Sequence, residues 1–374
     1  MMLSGRDGPG AEYHAFFFHS ERDSAMSSVR EGVRAIGGTL LLLGAAMLVG
    51  AQPGYGQDVG VGSFSRITFD ARGLAMGNAL VGDATNDVSP YYNPALMPNA
   101  TRQRVSASAA LMAYDRQLQS LEFTTPLGPT AGVGVGLIHA GVGNIDGRNA
   151  DGERTETLST DEFAVSVSFG NRFLERVSVG VSLTLYQSDV IPDTSPTRGF
   201  GVDLGATYRV TSRLKVAGSV NDLLAKYDWD TGAVGGQSRT DRFPIRVLLG
   251  GSYELVRDQL HVVAELESRH QPRDRIVEEV EDTSTGPRTV RRTEEVVRQS
   301  VRGRMGVEYR PLDILSLRLG VDRLGIDGTD GLRPGAGFGL TQTIGDLDLR
   351  VSYGVAMEPY VRTFINMGTV ELFL

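Results

Sequence analysis

From residue 99 onward, apolar and polar residues alternate at every second position, the pattern of strands with two unlike faces. Val177, Val179, Val181, Leu183 and Leu185 are interleaved with Ser178, Gly180, Ser182, Thr184 and Tyr186. Leu315, Leu317, Leu319 and Val321 likewise flank Ser316, Arg318 and Gly320, and Leu347, Leu349, Val351 and Tyr353 flank Asp348, Arg350 and Ser352. In 301–310 the odd positions carry Val301, Gly303, Met305, Val307 and Tyr309 against Arg302, Arg304, Glu308 and Arg310. Fourteen such segments are predicted, at 104–114, 117–126, 130–140, 161–170, 176–188, 197–210, 213–221, 242–254, 258–269, 296–310, 313–323, 332–343, 346–357 and 361–374. Most run 9–15 residues, long enough to cross a bilayer at a tilt of about 45°.

The connections carry a second signal. Every other one is short: 127–129, 172–175, Thr211-Ser212, 256–259, Pro311-Leu312 and Gly345. Those between are longer and polar, at 141–160, 189–196, 222–241, 270–295 and 324–331, with Asp115-Arg116 and Glu358-Pro359 as short exceptions. Short turns on one side and long loops on the other are the phase of an outer-membrane barrel with both termini in the periplasm. The expected fold is therefore all-β: a 14-stranded antiparallel transmembrane outer-membrane β-barrel over 101–374, closed because an open edge would leave backbone groups unpaired in hydrocarbon. Its aliphatic face meets lipid, and its Arg, Asp, Glu, Ser and Gly face lines the lumen. A soluble β-sandwich also alternates, but it rarely holds this many hairpins in phase with charge along the whole opposite face. The chain ends in alternating apolar residues, as barrel-assembly signals do, although Phe373 is penultimate. One tryptophan and 7% aromatic content make thin interfacial girdles.

Composition narrows the function classes. With no cysteine, disulfides, thiol catalysis and thiolate metal sites are excluded. A net charge of −8 argues against nucleic acid as a partner. Cations are almost all arginine, with only Lys215 and Lys226 as lysines, which suits planar ion pairs in a crowded lumen or simply reflects a GC-rich genome. Residues 1–57 are expected to be a leader with a signal peptide at 26–51: Arg30 and Arg34, an apolar run from Gly38 to Val49, and the small-residue exit Val49-Gly50-Ala51, with a second candidate cut near Gln57. That run is too short to span a bilayer, and no later segment has 18 uninterrupted apolar residues.

Between leader and strands, 58–100 is expected to fold as an N-terminal plug. Gly73, Gly77 and Gly82 stand among small residues, where they weaken a free helix but let backbone press closely on a neighbour. Asn93-Pro94-Ala95 then forms a rigid turn. The pattern Ala71-Arg72-Gly73-Leu74-Ala75-Met76-Gly77, then Asp87, then Tyr92-Asn93-Pro94-Ala95-Leu96, resembles the N-terminal signature of the PorV/PorQ family of outer-membrane barrels. It is similar, more loosely, to the plug of FadL-type channels. Asn78 stands where the signature has a second glycine, and Asn86-Asp87 replaces its two acidic residues. The resemblance implies a part in type IX protein secretion, with secreted cargo or a surface protease as partner. The alternative it implies is a FadL-like passive channel for hydrophobic small molecules such as fatty acids, in which a shifting plug opens a route sideways through the wall. Outer-membrane lipid surrounds the barrel in both readings. A cargo carrier should need loops 222–241 and 270–295; a channel should need an apolar pocket around Leu74, Met76, Leu80 and Val81.

Other candidate chemistry is sparse. Inward glycines at Gly132, Gly134, Gly136 and at Gly335, Gly337, Gly339 match no nucleotide-binding loop and are expected to leave lumen space for the plug or a solute. The alternative is strand bending at glycine. Asp146–Glu153 and 327–331 have oxygen ligands in a calcium-like order but lack the terminal glutamate spacing, so they are read as Asp-Gly turns, with no metal and no cofactor. His139, His261 and His270 have no partners that suggest catalysis, and no enzyme activity is expected. Glu265 and Glu267 share one strand face and are expected to pair with lumenal arginines. Segment 270–295 reads as a charged external hairpin turning near Thr283–Pro287.

Overall fold

The computed structural model describes residues 61–83, 85, 88–191, 194–230, 232, 238–283, 286–325, 331–358 and 363–374. The proposed leader, Asp87 and most of the turn at 327–331 lie outside the described residues. The strands are β1 (Arg104–Leu111), β2 (Arg116–Leu127), β3 (Ala131–Arg148), β4 (Arg154–Phe173), β5 (Val177–Asp189), β6 (Thr197–Arg209) and β7 (Leu214–Leu223). A short hairpin follows, β8 (Lys226–Trp229) and β9 (Arg239–Arg242). Then come β10 (Ile245–Val256), β11 (Leu260–Thr283), β12 (Gly286–Leu312), β13 (Leu315–Gly325), β14 (Arg333–Ile344), β15 (Leu347–Glu358) and β16 (Thr363–Phe373). Fourteen of them form one closed antiparallel barrel: β7 pairs directly with β10, β1 closes on β16, and β8–β9 stand apart as a two-stranded sheet.

The alternation translates directly into two faces. Leu121, Leu137, Val165, Leu185 and Phe200 lie opposite one another across β2–β6 and point outward. Phe123, Val135, Val167, Leu183 and Val202 form the next outward row. The row above the first is Gln119, His139, Phe163, Gln187 and Arg198, where the outer face turns polar. Downward the apolar face continues to Val177, about 27 Å along β5 from Leu185 at ~3.4 Å per residue, or roughly 20 Å of height at a ~40° tilt. That is close to the apolar band of an outer-membrane barrel.

Two departures from the expected strands share one cause. The stretch 141–160 is mostly ladder rather than loop: Val142 pairs with Thr160, Ile145 with Leu158 and Arg148 with Arg154, around bulges that begin after Val142 and Asp146. β11 and β12 stay paired from His270, where β10 ends, out to Thr283 and Gly286, a ribbon of roughly 40 Å. In the β3–β4 extension Asn144, Asp146, Arg148 and residues 154–157 are exposed, and such stretches lack the period-2 contrast that marks the lower strands. Within the loop Asp146–Glu153, the Asp146 carboxylate pairs with Arg148 and Arg154, and Asn149 Oδ1 accepts from the backbone N–H groups of Asp151 and Glu153. This is turn chemistry. Phe373 faces the lumen, with the Arg102 and Arg350 guanidinium groups 5.2 and 4.9 Å from its ring centre.

Residues 61–100 fold inside the barrel. They hold one turn of α-helix, α1 (Ala71–Ala75), and two 3₁₀ segments, Ser63–Arg66 and Pro94–Asn99. Asp70 Oδ1 caps α1 by accepting from Gly73 N at 2.6 Å, and Gly77 and Asn78, with φ of 64° and 58°, end it. Asn93 caps the second segment through Ala95 N at 2.9 Å. Its Nδ2 donates to Val81 O at 2.9 Å, which ties the two halves of the plug together. Leu74, Ala75, Met76, Ala95 and Met97 are wholly buried.

Candidate functional site: plug and lumen

Two rows of glycine cradle the plug. Gly132, Gly170, Gly180 and Gly205 lie directly opposite one another across β3–β6. A Cβ on any of them would strike plug atoms: Met97 O at Gly132, Pro94 O at Gly170 and Gly180, and Asn93 Oδ1 at Gly205. On the far wall Gly306, Gly320 and Gly335 form a second row across β12–β14, against Met76 and Leu74. The remaining inward glycines singled out from the sequence meet Pro90 (Gly134), Ser166 (Gly136), Tyr353 O and the Ala75 Cβ (Gly337) and the Arg318 guanidinium (Gly339). The room these residues leave is therefore occupied, mostly by plug backbone, which is the close approach that only glycine permits.

Ion pairs complete the attachment. Arg72 reaches Asp83 at 2.6 Å within the plug and Glu308 on β12 at 2.9 Å, and Glu308 also holds Arg318 at 2.8 Å and Arg310 at 2.7 Å. Glu265 accepts from Val81 N at 3.1 Å and, together with Glu267, pairs with Arg304, whose Nε meets Asp322 at 2.9 Å. The pair read from the sequence thus holds a lumenal arginine between its carboxylates. Ser89 donates to Glu122, which pairs with Arg104, and Arg104 reaches Glu371 at 2.6 Å. Ala71 N donates to Thr369 Oγ1 at 2.8 Å.

Asp83 gathers the densest set of donors. Burial alone would raise its pKa, but Arg72 and then His261, 3.3 Å away, outweigh burial and hold it well below the ordinary carboxylate value. Lys215 Nζ donates to its backbone oxygen at 2.9 Å. A carboxyl depressed on folding stabilises the fold above its unfolded pKa and loses that contribution as pH falls through the folded one. The destabilisation caused by Asp83→Asn is accordingly expected to be equal at pH 7 and pH 5 and to shrink only below about 3.8. Denaturant unfolding of both chains in detergent across that range checks this, and a difference already gone at pH 5 contradicts it. Asp70 moves the other way, because burial outweighs the Gly73 N–H that it accepts.

At the outer end the chain turns inward. Asp222 and Leu224 have φ of 61° and 64°, so β7 leaves the wall and the β8–β9 hairpin folds over the plug. Beyond Val202, which pairs with Leu223, β6 runs on without a β7 partner from Gly201 up to Thr197, whose Oγ1 donates to Asp228 O at 2.8 Å. Behind this seam Tyr186, Phe243, Tyr227 and Trp229 follow one another in tilted and edge-on ring contacts, with centres 4.7–5.4 Å apart. On its outer surface Leu224 and Phe200 are exposed.

Cavities adjoin the plug among the described residues. One of about 370 Å³ opens among the short turns, between Thr85, Thr101, Arg213, Arg310 and Phe373. Another, about 40 Å³, lies between Phe69, Tyr91, Tyr186 and Asp203. Neither is lined by Leu74, Met76, Leu80 or Val81; all four side chains are buried, and Leu74, Met76 and Leu80 belong to the main apolar core.

No family model and no curated protein matches the chain. Solved structures match it in fold. The toluene transporter TodX of Pseudomonas putida superposes with a TM-score of 0.54 at 13% identity, over 82% of this chain and 96% of that one. The toluene transporter TbuX of Ralstonia pickettii gives 0.51 at 16% identity, over 82% and 96%. A FadL homologue of Pseudomonas aeruginosa gives 0.52 at 12% identity, over 82% and 97%. The chain has the fold of these channels. Within that FadL-type fold, Arg72, Gly73, Leu74, Met76, Gly77, Asn93, Pro94 and Ala95 all sit in the plug against the wall. The aromatic seam at β7–β10 includes Tyr227 and Trp229, which fall in the stretch 222–241 expected to be a loop, whereas Phe243 falls in the predicted strand 242–254.

Proposed function

We propose that the protein is a passive outer-membrane channel for small hydrophobic solutes, exported by the leader at 26–51 and embedded through residues 101–374. The observation that carries this reading is the seam where β7 leaves the wall. There Leu224 and Phe200 are exposed, and on the inner side Gly199 and Gly201 of β6 face a buried aromatic cluster of Tyr186, Tyr227 and Phe243. An apolar solute finds continuous apolar surface from lipid to plug only at such a place. The hydrocarbon channels that share the fold support this alternative, whereas nothing in the comparisons supports a PorV/PorQ role in type IX secretion. Leu74, Met76 and Leu80 of the plug are buried in the core, so passage requires the plug or the hairpin to move. Expression in an outer membrane lacking hydrocarbon channels should raise the uptake of labelled toluene at micromolar concentration several-fold and leave glycerol uptake unchanged. Equal toluene uptake with and without the protein overturns the reading.

A further inference from the structure

The cavity of about 370 Å³ among the short turns is within the size range of small-molecule sites, yet the proposed hydrophobic passage does not use it. Its lining is dominated by guanidinium groups. Five arginines face it, Arg102, Arg104, Arg213, Arg310 and Arg350, with His261 beside them and three carboxylates, Glu254, Asp258 and Glu308. Two of those carboxylates are already engaged. Glu308 accepts from Arg72, Arg310 and Arg318, and Glu254 Oε1 accepts from Asp258 N at 2.7 Å. The carboxylates that orient the other arginines stand outside the lining: Asp348 for Arg102 at 2.7 Å, and Glu371 for Arg104 and Arg350 at 2.6 and 3.6 Å. Arg213, half-buried on the turn between β6 and β7, has no ion pair among the described residues. Hydroxyls of Thr101, Thr124 and Ser212 add neutral donors, while that of Thr85 donates to Asp83 at 2.7 Å.

Fixed, planar donors around a solvent-reachable hollow are the chemistry of carboxylate and phosphate recognition. We propose that this cavity is an oxyanion site on the turn side of the barrel, which takes a small carboxylate or phosphate with Arg213 as the guanidinium left for it. The site stands independently of the channel reading, since it is defined by binding to the closed, plugged barrel.

The test is calorimetric titration of the full chain in a non-ionic detergent with propionate, inorganic phosphate and neutral propionamide. One of the two anions is expected to bind at millimolar concentration or below, and propionamide at least tenfold more weakly. The tighter anion identifies the source as an organic acid or phosphate. Arg213→Gln should weaken that binding about tenfold while the thermal unfolding midpoint stays where it was, because no ion pair is lost. Arg102→Gln is the second variant, expected to weaken binding in the same direction. Absence of binding by both anions, equal binding of propionamide, or unchanged affinity in both variants overturns the proposal. Toluene uptake is read separately, so loss of either result leaves the other standing.

Discussion

Gly320→Val is expected to yield a chain that either fails to close its barrel or closes it with the plug undocked. A Cβ at this position would stand 2.5 Å from Gly77 N and 2.6 Å from Met76 Cα, both backbone atoms with nowhere to go. Overpacking a rigid site costs on the order of 3 kcal/mol or more. Here the cost falls on the contact between plug and wall, because on the strand itself valine is the better residue. The readouts are the heat-modifiable fraction on gel electrophoresis and trypsin cleavage at Arg66, Arg72 and Arg102. Wild-type folding yield with a fully protected plug would show that the glycine row is incidental. Gly368, around which a Cβ meets nothing within 4 Å, supplies the control.

Glu308→Gln is expected to have the second-largest effect, destabilising the protein by about 3–5 kcal/mol, the usual cost of breaking a buried ion pair from one side. Glu308 is 1% exposed and binds three arginines, one from the plug and two from the wall. Its loss leaves Arg318, the largest fully buried side chain, held mainly by Ser352 at 3.1 Å. Arg72 keeps Asp83, so the plug loosens from β12 before it comes apart itself. Denaturant unfolding in detergent gives the magnitude. A double variant, Glu308→Met with Arg318→Met, should recover part of the loss, since replacing both partners removes the stranded charge. A neutral single variant would mean that water reaches this part of the lumen freely.

The barrel was legible because one physical contrast, lipid outside and polar lumen inside, is written at every second residue of the lower strands. The Glu265/Glu267 pair was legible for the same reason, two residues apart on one face. The upper strands were not, because Asp146 and Arg148, for example, are exposed where both faces are wet and no contrast survives. The glycine rows needed register as well as period. Gly132 and Gly134 caught attention as neighbours in sequence. Gly170, Gly180 and Gly205, isolated in their own strands, form a row with Gly132 only once pairing aligns them. The partner of Arg72 was beyond reach in the same way, since Glu308 lies 236 residues further on. The inward turn at Asp222 left only faint marks, because two non-glycine residues adopt positive φ there.

A ring with its own leading segment inside has a consequence for the order of assembly. The seam between β1 and β16 joins residues more than 250 positions apart, for instance Leu111 with Asn366 and Arg104 with Phe373. Contacts so distant in sequence form late, after the nearest-neighbour hairpins. The plug touches both sides of that seam, through Thr369 on β16 and through Glu122 on β2. A compact segment with α1 and a capped turn cannot be threaded through a mouth already closed. The first part of the barrel-forming chain to be made must therefore be laid against the open sheet before its last strand arrives, acting as the mandrel around which the wall is wound.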